Sequence, residues 1–328
     1  MSWLRQKIER WPLANRLALA MLCVAALAIT VLFYDLDRTN RAELAQLQTT
    51  ALHNSANDLA RALDALMENE RSRVANLALS RSAQEFAGAR PDQRAPLFTP
   101  TLADFSNFLD SNRPFYRAVL LLDQQGEVLI STDGSAVGQR FGTSTFFRAA
   151  RAGQIYMSDP GISAIDRQPV IWLAAPVGGA NAPAGVLAVA LSPEEIWRVV
   201  EQVRIGEGGY ALLLDRYRIR LAHGRDPRYV FRSLAPLAAS TWQQLRAEGR
   251  FAGLPAIADT QSLALDTYVR AGAFGAPLIA PPSPGTGNVY YAAARTRSRD
   301  WTVVAMLSER EIFAPAERAT LRGLMATV

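Results

Sequence analysis

From Ala14 to Tyr34 the chain reads ANRLALAMLCVAALAITVLFY, and after Arg16 no charge appears until Asp35. About 20 apolar residues are what an α-helix needs to cross a bilayer core of roughly 30 Å. The pattern therefore predicts a transmembrane helix over 14–34. Arg5, Lys7, Arg10 and Arg16 precede it, while Asp35 and Asp37 follow. The cationic side is the one retained in the cytoplasm. Residues 1–13 are thus read as a cytoplasmic N-terminus, in the plasma (inner) membrane, with everything after 34 periplasmic or extracellular. A cleaved signal peptide would have a shorter apolar run and a small-x-small cleavage site; here the outer end is bulky, Val31 to Tyr34. A buried core helix would show a polar stripe, which this stretch lacks.

Between Leu36 and Ser80 there is neither proline nor glycine. Apolar positions recur at Leu52, Leu59 and Leu66 and at Ala56, Leu63 and Leu77, with Glu70 interrupting the second series. That spacing is a heptad-like seam. It predicts a long stalk helix over 35–87, able to pair with a second copy in a homodimer or to lie along stacked domains.

Gly88 to Pro100 breaks the pattern, and Leu102 to Leu109 reads as a short amphipathic helix. Apolar alternation then replaces helical spacing. Ala118 to Asp123, the turn Gln124-Gln125-Gly126, and Glu127 to Ser131 form a hairpin signature. Ser144 to Ala152 is helical. Pro169 to Val177 and Gly185 to Leu191 are two further strands, and Ser192-Pro193-Glu194-Glu195 starts a helix running to Val203. The order then repeats. Gly209 to Asp215, a turn at Arg216-Tyr217, and Arg218 to Ala222 echo the first strand–Asp–turn–strand unit. Thr241 to Glu248 is a helix, Phe251 to Gly287 a Gly/Pro/Ala-rich loop, and Val289 to Ala294 with Trp301 to Leu307 the closing strands. Glu309 to Val328 begins as a helix and turns apolar at Leu324, which suggests the start of a second membrane span.

Composition narrows the chemistry. The 328 residues carry a net charge of +5, almost all of the cationic charge being arginine scattered among acids. Such charge is solvated surface, not a nucleic-acid footprint. The single cysteine, Cys23, falls inside the apolar run, so thiol catalysis, a cysteine zinc site and disulfide staples are excluded from the remainder. The two histidines, His53 and His223, are far apart, and no Ser/His/Asp group or metal spacing is present. Gly206-Glu-Gly-Gly209 lacks the Lys-Ser/Thr of a phosphate loop. No cofactor is expected.

The ordered set LLLDQQGEVLIST, FFRAARAG, SDPGIS, PVIWLAAPV, GVLAVALSPEEI, GEGGYALLLDRYRIRLAHGRDP and RDWTVVAMLSEREIFAP resembles the double Cache sensor. That is the two-module, PAS-like extracellular domain of bacterial histidine kinases, chemoreceptors and cyclases. The resemblance implies an α+β fold of two antiparallel-sheet modules, a membrane-distal one over 88–204 and a membrane-proximal one over 205–308, followed by a C-terminal helix over 309–328. It implies ligand sensing for a membrane signal-transduction receptor, with no catalysis in this portion.

The amino-acid-sensing members of that family share a Tyr, an Arg, a Trp-Tyr pair and a later Asp. Their places here fall on Arg140, Ser144, Phe146-Phe147 and Ala190, so that specificity is not carried over. An anionic small molecule would need convergent donors. Arg140, Phe147 and Arg148 flank the helix that faces the pocket in this family, and Tyr156, Ser158, Asp159, Ser163 and Trp172 come from the facing loop and strand. These eight are the candidate ligand-binding residues. A membrane-anchored exported enzyme and a dimeric scaffold are the competing readings.

Overall fold

The computed structural model describes residues 12–179, 181–282 and 285–316. They divide into two compact units, residues 12–51 with 309–316 and residues Leu52–Ser308. Helix α1 runs from Leu13 to Ala78. It ends where Ser80 caps a second helix, α2 (Arg81–Gly88), by accepting a hydrogen bond from Ala83 N. The stalk pattern thus resolves into two helices, because Ser80 offers the chain a cap three residues before a new apolar face.

In the first unit the apolar residues Leu17, Met21, Leu22, Val24, Leu27, Ile29, Val31, Leu32 and Tyr34 are 57% to 72% exposed. Among the described residues no helix is long and apolar enough to cross a membrane. The expected span over 14–34 is therefore not established by the fold; side chains within it, Cys23 and Phe33 among them, lie outside the described residues. Residues 309–316 are helical, Ile312 is buried, and the Arg41 guanidinium lies 5.6 Å from the Phe313 ring centre. The apolar start at Leu324 lies outside the described residues.

In the second unit α1 buries Leu52, Ala56, Leu59, Ala60, Leu63, Met67, Glu70, Val74 and Leu77. The buried position is Met67, not the expected Leu66, because a straight helix follows a 3.6-residue period and drifts from a heptad seam. Glu70 sits in that buried stripe, accepts a hydrogen bond from the Tyr116 hydroxyl, and is pushed above its ordinary pKa by burial.

Helix α3 (Ala95–Ser111) is longer than its pattern predicts and passes through Pro100. It leads into a six-stranded antiparallel sheet: β1 (Tyr116–Leu122), β2 (Val128–Ser131), β3 (Tyr156–Met157), β4 (Gly161–Ile162), β5 (Pro169–Gly179) and β6 (Ala182–Leu191). The order is β2-β1-β6-β5-β3, with β4 also on β5. Helix α5 (Glu194–Glu201) leads to a five-stranded sheet: β7 (Tyr210–Leu214), β8 (Arg220–His223), β9 (Leu278–Ala280), β10 (Val289–Arg295) and β11 (Thr302–Ser308), with helix α6 (Ala239–Ala247) between β8 and β9 in sequence. Its order, β8-β7-β11-β10-β9, repeats that of the first sheet.

The repeat extends to the turn chemistry. Asp123 Oδ1 accepts hydrogen bonds from Gln125 N at 2.8 Å and Glu127 N at 2.9 Å, closing the β1–β2 turn over Gly126, whose φ is +88°. Asp215 Oδ1 does the same for Tyr217 N and Ile219 N, both at 2.8 Å. One face of the first sheet packs Leu120, Leu122, Ala174 and Ala188 against α4 (Thr145–Arg151) through Phe147 and Ala150. The second sheet packs Leu212, Leu214, Tyr291 and Val304 against α7 (Leu263–Ala271) through Leu265 and Val269. Helix α7 and strand β9 lie in the stretch 251–287 that composition assigned to loop. Leu265 and Val269 supply a helical i, i+4 stripe there, outweighed in the sequence by the surrounding glycines and prolines.

The β10–β11 turn is fastened to α1. The Asp64 carboxylate accepts hydrogen bonds from Arg297 N at 2.9 Å, Ser298 N at 2.8 Å and Ser298 Oγ at 2.5 Å. Burial works against the charge, but the Ser298 hydroxyl, these backbone N–H groups and the Arg297 charge together hold Asp64 below the usual carboxylate range. A depressed carboxylate stabilises the fold above its unfolded pKa of about 3.9, and that contribution disappears as pH falls through the folded value. Asp64→Ala is expected to cost about 2 kcal/mol at pH 7, the typical worth of hydrogen bonds to a charged acceptor. In urea unfolding the gap between wild type and variant should close below about pH 4; a gap independent of pH would contradict the assignment.

Candidate functional site

A cavity of about 710 Å³ opens beside the first sheet. Its aromatic wall is built by α4 and β5. On α4, Phe147 and Ala150 turn into the core, while Phe146 reaches β5 and stacks on Trp172 with ring centres 5.0 Å apart and planes 19° from parallel. Phe141 leans on the same indole at 5.9 Å. Offset stacks of this kind contribute beyond the area they bury.

The floor is the segment Ser158–Ser163, which β5 holds in place. Ser158 Oγ accepts from Trp172 N at 2.8 Å and donates to Asp159 O at 3.0 Å. Ser163 Oγ accepts from Ile165 N at 3.1 Å. Both hydroxyls are thus committed to shaping the loop.

The far wall belongs to the second half of the chain: Arg216, Glu248, Gly249, Arg250, Ser298, Arg299 and Asp300. Asp159 ties the floor to it. Its Oδ1 accepts from Arg299 Nη2 at 2.6 Å and from Trp301 Nε1 at 2.8 Å. Arg250, buried with 7% of its side chain exposed, stands 3.6 Å from Asp159 and 2.6 Å from Asp215 Oδ2. Backbone contacts reinforce the seam. Ile162 N donates to Arg250 O at 2.7 Å and Arg250 Nε to Pro160 O at 3.1 Å. At Gly161 a Cβ would stand 2.1 Å from Arg250 O, so only glycine permits the approach.

Burial alone would raise Asp159, but Arg250, then Arg299 and the hydrogen bonds from Arg299 and Trp301, hold it below the usual carboxylate range. Asp215 moves the other way. Complete burial, opposed by Arg250 and seconded by the Asp159 charge, pushes it up.

Of the eight predicted residues, Arg140, Tyr156, Ser158, Asp159, Ser163 and Trp172 line the cavity. Phe147 lies in the core, 1% exposed, because a seven-residue helix on a sheet must bury one face; its neighbour Phe146 is the ring at the wall. Arg148 lies on the exposed side of α4 and is not among the lining residues. Arg140 pairs with Glu127 at 3.0 Å on the open rim. Nothing local in the sequence announced Arg216, Glu248, Arg250 or Arg299, which reach the site only through tertiary folding. His223 lies outside the cavity and closes a turn after β8. Its Nδ1 accepts from Asp226 N at 3.0 Å, its ring stacks on Tyr229, and burial lowers its pKa to about 4.

A family model described as Cache domain matches residues 38–316. No curated protein matches the chain. The sensor domain of the V. cholerae histidine kinase DctB is similar in structure, with TM-score 0.62 and 13% identity, over 80% of this chain and 98% of that one. The ligand-binding domain of the Pseudomonas fluorescens chemoreceptor CtaA in complex with L-alanine aligns with TM-score 0.53 and 16% identity over 81% and 99%. That of the Campylobacter jejuni chemoreceptor Tlp3 in complex with 4-methylisoleucine gives 0.57 and 14% over 82% and 94%.

Asp159→Ala leaves Arg250 and Arg299 without their shared acid, and breaking one partner of a buried pair costs about 3–5 kcal/mol. Chemical denaturation should show that loss, whereas Arg140→Ala, on an exposed pair, should stay within about 0.5 kcal/mol. Equal losses for the two variants would refute the network's importance. The Asp159 contribution is present above about pH 4 and fades as pH drops through its depressed folded value.

Proposed function

This chain belongs to the Cache domain family, and we propose that it is the extracytoplasmic sensing portion of a membrane signal-transduction receptor. It binds a small molecule in the cavity between Trp172 and Arg299 and passes the change along α1. The observation that carries this reading is the cavity itself. At about 710 Å³ it has the size of a small-molecule site, an apolar wall and a few fixed polar groups. The similar solved domains belong to a histidine kinase and to chemoreceptors, two of them in complex with L-alanine and 4-methylisoleucine.

In this reading residues 88–204 form the membrane-distal module and 205–308 the membrane-proximal one, two copies pair through the stalk, and 14–34 anchors the chain. The anchor is supported by the exposure of the described apolar side chains between Leu17 and Tyr34. A ligand that binds one arrangement of the modules better than another shifts their populations. The portion carries information and performs no turnover.

A thermal-shift screen of small acids, amines, amides and purines is the test. A ligand at about a hundred times its Kd adds about 2.7 kcal/mol of stability. A hit should stabilise the wild type and fail to stabilise Trp172→Ala. A screen without hits, or hits indifferent to Trp172, would end the proposal. For the anchor, the full chain should sediment with membranes and need detergent for release, and deletion of residues 1–40 should free it.

A further inference from the structure

The cationic side chains on the cavity wall are already matched by acids. Arg140 pairs with Glu127 at 3.0 Å, Arg216 with Glu248 at 3.7 Å, Arg299 with Asp159 at 2.6 Å, and Arg250 with Asp215 at 2.6 Å. Arg299 also donates to Met157 O at 2.5 Å, which fixes it further in the wall. At the buried end of the cavity an anionic ligand would have to take Arg299 from Asp159 or Arg250 from Asp215, and the stranded carboxylate would cost more than the new pair returns; the rim pairs Arg140–Glu127 and Arg216–Glu248 are solvent-exposed and contribute little either way. A cationic ligand meets the same difficulty at Asp159. Asp300 is solvent-exposed at the rim, where an ion pair is worth little. The buried end of the cavity therefore has its charges matched without a charged ligand.

What it does offer is aromatic surface and uncharged hydrogen-bonding groups. Phe141, Phe146 and Trp172 line one wall, with Tyr156 beside them. The Ser144 hydroxyl, which is not spent on capping α4, and the Thr145 hydroxyl line the same cavity.

We infer that the ligand is an uncharged planar aromatic or heteroaromatic molecule, held by stacking on Trp172 and oriented by hydroxyl or amide hydrogen bonds. This rests on the reading of the cavity as the sensing site and specifies the chemistry it accepts. Stacking on Trp172 provides affinity, and the matched ion pairs provide discrimination, because rejection of charge needs no clash.

The test is a charge series on one ring body: indole-3-acetamide, indole-3-acetate and tryptamine, with cyclohexylacetamide as the saturated neutral control. Binding is measured by titration calorimetry on the full chain in detergent. Indole-3-acetamide should bind at least about tenfold more tightly than either charged analogue and than the saturated amide, a difference of about 1.4 kcal/mol. Trp172→Ala should remove about tenfold or more of that affinity, and Trp172→Phe should keep it within about threefold. Tighter binding of the acetate or of tryptamine, equal binding of the saturated amide, or no binding by any of the four would overturn the inference. The two readings separate cleanly. A Trp172-dependent charged or aliphatic hit in the broad screen defeats the ligand class and leaves the sensing function standing, while a silent screen defeats both.

Discussion

The Asp159 carboxylate is the constraint on which the site depends. It closes the floor of the cavity, and its partners, Arg299, Trp301 and Arg250, all come from the second half of the chain. A buried carboxylate is tolerable only when its lone pairs are filled and its charge is met. Asp159 satisfies both conditions at once, which is why a loop of the first sheet can be buried against the second. The same contacts fix the far wall. Arg299 is the tooth of a turn whose neighbouring amides rest on Asp64 of α1. One short turn therefore touches both the cavity and the long helix.

The internal repeat explains how such a seam can arise. Asp123 and Asp215 occupy equivalent places after the first strand of each sheet and close equivalent turns with one oxygen. In the first copy the turn lies at the surface. In the second, the other oxygen of the aspartate is buried against Arg250. A residue that the fold requires for a turn has been given a second partner, with no change in the local pattern. Phe251, next to that arginine, extends the seam by packing with Ile219 and Leu245 in a small apolar cluster that Ile162 joins from the first half.

The legible parts of the fold were those with local causes. The hairpin around Gly126, the start of α5 directly after Ser192-Pro193 and the recurrence of strand, aspartate, turn and strand are dictated by residues adjacent in sequence, and each appears where the pattern placed it, although the α5 start carries Pro193 at its cap position and no side-chain cap hydrogen bond. Five of the six cavity residues that the sequence identified sit on the loop and strand that the family resemblance marked, and Arg140 lies just before the helix facing them. What escaped was non-local. Ser80 ended the stalk helix because a cap competes with continuation, and Leu263–Ala271 formed a helix inside a glycine- and proline-rich stretch because the sheet offered it a face. The partners of Asp159 are 91 to 142 positions away in sequence, and no spacing rule reaches that far. Phe146 and Phe147 are adjacent, and only the tilt of the helix decides which ring meets Trp172.

Gly161 gives the seam a practical meaning for building chimeras. With no room for even one methyl group between it and Arg250, the N-terminal portion cannot be transplanted by splicing at the obvious boundary near residue 204. A chimera cut there would bring a foreign surface against a glycine shaped for this one. It would also separate a carboxylate from its guanidinium groups. The exchangeable cassette is discontinuous, and must carry residues 215–216, 248–251 and 297–301 along with the N-terminal portion.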